Sequence, residues 1–158
     1  QATALARNED TEATFGSGAT ADLVTGLSTL RAEICQECSL ADSTWSYSFT
    51  DTEVGPTPAP TATGFQPDFT FTFDPSSIDR VTCGDDALTA VGEGIRYFDG
   101  APEQLFYELQ IFDAPAEGFR LILRNTANVV IFDSGVVDAL VEFGECETFA
   151  DLLGGLDD

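Results

Sequence analysis

Cys35-Gln-Glu-Cys38 is the motif in this chain whose residue types and spacing most resemble a reactive site. A CxxC pair serves thiol–disulfide exchange when a positive environment lowers the thiol pKa. Glu33 and Glu37 flank this pair, and negative charge acts in the opposite direction. A structural zinc site would need a second closely spaced pair, but Cys83 and Cys146 stand alone in the sequence. The even count therefore reads as disulfides among Cys35, Cys38, Cys83 and Cys146. Two long-range bridges are favoured, Cys35 or Cys38 to Cys83 and the other to Cys146, because closing large loops restricts the unfolded chain most. A local Cys35–Cys38 bridge with Cys83–Cys146 is the rival.

Other catalytic chemistry has little to build on. The chain has 158 residues and no His, so Ser-His-Asp, Cys-His and His-ligated metal sites are excluded. Ser134 lies in Asp-Ser-Gly, but no His or Lys is present to activate it. Paired carboxylates do glycosidase work. Among 28 acids, however, a suggestive pair carries no specificity. The chain is not expected to be an enzyme.

The charge is the dominant feature. Asp and Glu number 28 against six basic residues, giving −22, and all six are Arg: Arg7, Arg31, Arg80, Arg96, Arg120 and Arg124. Nucleic acid and anionic membrane surfaces repel such a chain. Self-repulsion of this size calls for screening by salt, divalent cations or a cationic partner. Abundant carboxylates without Lys resemble the surfaces of proteins from saline habitats, so halophilic or marine adaptation is expected. Calcium is the one cofactor this composition leaves open, with Asp85, Asp86, Glu93 and Asp99 as candidate ligands in acidic turns. The EF-hand pattern is absent, and solvated turns are the preferred reading of those residues.

The chain begins with Gln and contains no Met. It reads as the processed form of a secreted, extracellular protein, cell-surface attached in one version of that reading. Its apolar runs reach four residues, as in Val129 to Phe132, far short of the ~20 that span a bilayer. No N-glycosylation sequon occurs; the Thr/Pro-rich stretch 55–67 has the composition of an O-glycosylated loop.

These residues must be positioned by mainly β structure. Strict alternation marks strands at Thr44 to Thr50 (Trp45, Tyr47 and Phe49 on one side), Asp68 to Asp74 (Phe69, Phe71 and Phe73 on one side), Gln104 to Phe112 and Val136 to Phe143. In the last of these Val137, Ala139, Val141 and Phe143 are expected to point inward. Four of seven prolines lie in residues 55–67, which reads as an extended loop. Leu23, Leu27, Leu30 and Ile34 fall on one helical face, and Thr20 suits an N-cap, so a short helix is expected over residues 20–34. The expected fold is an antiparallel β-sandwich or jelly-roll single domain over residues 20–158 with that one helix.

Residues 1–19 are small and polar, with Leu5 and Phe15 the large apolar side chains. They read as an extended segment that adds as a strand to the sheet of a neighbouring subunit. The function expected is a non-catalytic structural subunit of a filament, pilus-like fibre or surface layer, a homo-oligomer or homopolymer with Leu5 and Phe15 as its assembly anchors. The alternative is an extracellular adhesion module binding glycan or calcium, with Trp45 as the residue placed to stack on a sugar.

Overall fold

The computed structural model describes residues 2–16, 21–34, 44–51, 60–61, 64–65, 69–83, 87–98, 101–113 and 117–143. They form thirteen strands: β1 (Ala2–Phe15), β2 (Asp22–Ile34), β3 (Thr44–Asp51), β4 (Pro60–Thr61), β5 (Gly64–Phe65), β6 (Phe71–Pro75), β7 (Arg80–Cys83), β8 (Ala87–Phe98), β9 (Ala101–Phe112), β10 (Gly118–Arg124), β11 (Val130–Asp133), β12 (Val137–Asp138) and β13 (Leu140–Phe143). No helix occurs among the described residues. The helix expected over residues 20–34 is therefore replaced by β2.

The cause lies in what β2 faces. Its inward positions read Val24, Gly26, Ser28, Leu30, Ala32 and Ile34. Ser28, Leu30 and Ala32 sit opposite Phe49, Tyr47 and Trp45 of β3. The large rings fill the space that the small residues leave, so β2 carries no strong apolar alternation of its own. Leu23, two-thirds exposed, lies outside. Its spacing to Leu27, Leu30 and Ile34 imitates a helical stripe.

The expected sandwich is corrected as well. The sheet runs β1-β2-β3-β6-β8-β9-β10, and β11 pairs with both β10 and β1. Eight antiparallel strands thus close into an up-and-down barrel, which leaves fewer free edges than an open sheet. The short strands continue two of these eight. β9 occupies one edge of β8 over its whole length, so β6 and β7 share the other edge. Between them the N–H groups of Ser76 and Ser77 both donate to Glu93 O, at 2.8 and 3.1 Å, which is a bulge in one long strand. The Tyr107 hydroxyl pins this bulge from inside by donating to Ser77 O at 2.7 Å.

The last barrel strand is broken in the same manner. β11 is followed by a bend at Gly135, where φ is +67°. β12 then pairs with β10 and β13 pairs with β1. Ser134 holds the bend: its hydroxyl accepts from Leu121 N–H at 2.8 Å and donates to Gly135 O at 2.8 Å. Just before the bend, Arg120 Nε and Nη2 grip the two carboxylate oxygens of Asp133 at 3.0 and 2.5 Å.

The interior is filled with aromatic rings. Phe15, Phe49, Phe71 and Phe132 meet one another at centroid distances of 4.9 to 6.2 Å, and Trp45 packs on Phe73 and Tyr107 at 5.3 and 4.7 Å. Each large side chain buried here is worth about 1.5–3 kcal/mol relative to exposure. Outward positions over β1 to β3 are mainly polar, among them Thr3, Arg7, Thr29, Arg31, Glu33, Thr44, Ser46 and Thr50, with Leu5, Leu23 and Leu27 as the apolar members. The alternation is apolar inside and polar outside, the reverse of a barrel that faces lipid.

Candidate interaction face

One part of the outer wall departs from that polar pattern. β1 pairs with β13 on one side and β2 on the other, which aligns Leu140, Leu5, Arg31 and Ser46 in a single row across four strands. These four alternate outward by the period of two. Leu140 and Leu5 are directly opposite each other and 74 % and 53 % exposed. The adjacent row holds Arg7, Thr29 and Ser48, and the row nearer the rim holds Glu142, Thr3, Glu33 and Thr44. Shallow grooves run on either side of Leu5. One is lined by Thr3, Glu33, Thr44 and Ser46, the other by Arg7, Asn8, Asp138 and Leu140, and Arg31 borders both.

The charge on this face is unusual for the chain. Arg96, Arg120 and Arg124 each have an acidic partner, Glu103 at 2.6 Å, Asp133 at 2.5 Å and Glu108 at 3.9 Å. Among the described residues Arg7, Arg31 and Arg80 have no ion pair. Arg7 and Arg31 stand together on the Leu5 face, whereas Arg80 lies on β7. Two unpaired guanidinium groups beside two exposed leucines thus occur on a chain of charge −22. Leucine next to a weakly hydrated, planar cation suits contact with another macromolecule better than contact with water.

A local irregularity borders the face. β1 bulges between Asn8 and Thr11, where the Asn8 side chain accepts from Asp10 N–H at 2.8 Å and the Thr11 hydroxyl donates to Asn8 O at 3.2 Å. The bulge re-aims the strand so that Thr11, Ala13 and Phe15 continue to point inward.

The ionisable groups inside the barrel are set for structure. Burial pushes the Tyr47 hydroxyl well above the ordinary tyrosine range, and its hydrogen bond with Ser28 at 2.7 Å offsets only part of that. Tyr107 is pushed up to about 12 by burial, with the Trp45 indole acting against it and the negative charge of Asp79 adding to it. Asp133 is raised by burial but lowered more by the Arg120 hydrogen bonds, Gly135 N–H and the charges of Arg120 and Arg124, for a net downward shift. Both tyrosines stay protonated at neutral pH and act as hydrogen-bonding core residues.

The other sequence candidates scatter. Phe15 lies in the core, not on the surface with Leu5. Trp45 is buried against Phe73 and Tyr107. Glu93 is on the outer side of β8, and Asp85, Asp86 and Asp99 lie outside the described residues. No group of three or more possible metal ligands occurs among the described residues. Cys35, Cys38 and Cys146 are outside the described residues, and Cys83 ends β7. The sequence signal for the missed residue Leu140 was present: it is a large apolar side chain on the outward side of the Val136 to Phe143 alternation. Arg7 and Arg31 gave no such signal, because their neighbourhood depends on strand register.

Fold and face together define a closed, up-and-down antiparallel barrel with an aromatic interior and an apolar, arginine-bearing outer patch. Comparison with protein-family models, curated proteins and solved structures finds no match for this chain.

Proposed function

We propose that this chain is a non-catalytic structural subunit of an extracellular, salt-adapted assembly, and that it associates through the outer face of β13, β1 and β2. The observation carrying this reading is the row Leu140–Leu5–Arg31 with Arg7 beside it: exposed apolar surface and unpaired positive charge on an otherwise acidic chain. Copies of the same chain offer further acidic surface to these arginines, which make no ion pair with Glu33, Glu142 or Asp138 on their own face. The ring-filled interior supports the same reading, since a barrel packed with its own side chains serves as a rigid block. Secretion and salt adaptation rest on the cysteine count and the acidic, lysine-free composition.

The test is sedimentation velocity with electron microscopy over a range of protein concentrations in molar NaCl, where self-repulsion is screened. Oligomers or fibres that grow with concentration are expected. A monomer at every concentration and salt level overturns the proposal.

A further inference from the structure

β13 stands at a rim of the barrel with one edge open. β12 pairs with β10 through Asp138 and Gly118, and Gly118 pairs with Phe112 where the β9–β10 hairpin turns. β13 therefore runs past the start of β10. Among the described residues it pairs with β1 alone, Leu140–Phe143 against residues 2–5. Its N–H and C=O groups that point away from β1 have no strand to bond among these residues, which makes that edge a template for a further strand.

A similar stretch at the opposite rim is blunted. β10 ends at Arg124, opposite Phe106, so residues 101–105 of β9 have β8 on one edge and no strand on the other among the described residues. Pro102 there has no N–H to offer, and Glu103 adds a charge, paired with Arg96 at 2.6 Å. β13 reads Leu-Val-Glu-Phe, without Pro, and its exposed Leu140 lies directly opposite Leu5.

We infer that β13 pairs edge to edge with β13 of a second copy, antiparallel about a two-fold axis, so that one sheet runs from β2, β1 and β13 into the β13, β1 and β2 of the second copy. The edge chooses the occupant, and charge does not: Arg7 and Arg31 stand among Glu33, Asp138 and Glu142, so the face carries both signs. A second copy brings an identical open edge, and an isologous pair satisfies both edges in one contact.

The register follows from side-chain type. Residues directly opposite share a face, and like charges opposite each other destabilise. An axis at Glu142 would set two carboxylates opposite each other, and an axis at Leu140 would set Glu142 against Asp138. An axis at Val141 sets Val141 against itself and Leu140 against Glu142, twice. Leu5 and Leu140 of each copy then lie on adjacent rows of one outer face, diagonal to those of the other and within reach of them. The contact closes at two copies and makes the dimer step of the assembly. This inference rests on the assembly reading and adds the strand and register of the joint.

The experiment compares the full chain with Leu140→Glu, Leu140→Glu/Glu142→Lys and Leu140→Glu/Glu33→Lys by sedimentation equilibrium, at the lowest NaCl concentration at which the unmodified chain associates. The substituted side chains are exposed, and circular dichroism and thermal melting first establish that each variant is folded. Leu140→Glu sets Glu against Glu142 twice and removes the leucine, so association is expected to weaken at least about ten-fold. Glu142→Lys restores opposite charges across the joint and should regain at least about three-fold of that loss. Glu33→Lys changes the net charge equally but lies two strands from the joint, and should regain none. Hydrogen exchange of the unmodified chain, which needs no variant, should show β13 amides gaining protection as concentration rises.

If Leu140→Glu associates as the unmodified chain does, or if β13 exchange ignores concentration while the chain associates, another surface is used: the inference fails and the assembly reading stands. Equal rescue by Glu33→Lys and Glu142→Lys overturns the register. If the unmodified chain never associates, the assembly reading itself falls.

Discussion

Replacing Gly94 by Ala should cost this barrel more than any surface change near it, and the loss should trace to one ring. Gly94 lies on β8 opposite Pro75, one diagonal step from Phe73, which is fully buried. A Cβ at position 94 would stand 2.4 Å from Phe73 Cζ and 2.7 Å from Asp74 O. Ordinary contact begins near 3.4 Å, so ring and strand must each yield by roughly 1 Å. Overpacking of this kind costs about 1–3 kcal/mol. The lower chain entropy of Ala in the unfolded state returns about 0.4–1 kcal/mol. A net loss of about 1–2 kcal/mol remains, or a melting temperature lower by about 2–8 °C at this chain length. Urea denaturation of Gly94→Ala, Phe73→Leu and the double variant measures the coupling. Leu removes the ring tip but leaves the Asp74 carbonyl contact, so the double variant should be more stable than the sum of the single losses by about 0.5–1.5 kcal/mol, without full recovery. Additivity within about 0.3 kcal/mol would refute the claim that the Phe73 ring occupies the space of the missing Cβ.

Three further outcomes are expected. Asp133 has a lowered folded pKa, so its contribution to stability is present above the ordinary carboxylate pKa of 3.8 and is lost as pH falls through the lower folded value; the stability gap between the unmodified chain and Asp133→Asn should therefore be open at pH 7 and close on acidification below about pH 4. Melting temperature should rise with NaCl, since the Debye length shortens from ~30 Å at 0.01 M to ~8 Å at 0.15 M and screens a charge of −22; a flat response would remove the salt-adaptation argument. Alkylation without reductant should label no cysteine, and peptide mapping should find one of Cys35 and Cys38 joined to Cys83 and the other to Cys146.

The β class was legible because its strongest strands alternate without exception. Phe71 and Phe73, or Leu105, Tyr107, Leu109 and Ile111, point inward in the structure as the period of two requires. β2 was not legible, because burial against large neighbours let it use Gly, Ser and Ala where a solitary strand needs bulk. Barrel closure was hidden for a related reason. The strand that completes it is broken at Ser134 and Gly135, and its three pieces look like separate short elements until their partners are known. The interaction face is less visible still. Leu5 was found as an exposed apolar residue in a polar segment, but its alignment with Arg31 and Leu140 depends on register with strands 26 and 135 residues away in sequence. Side-chain type alone carries no such information.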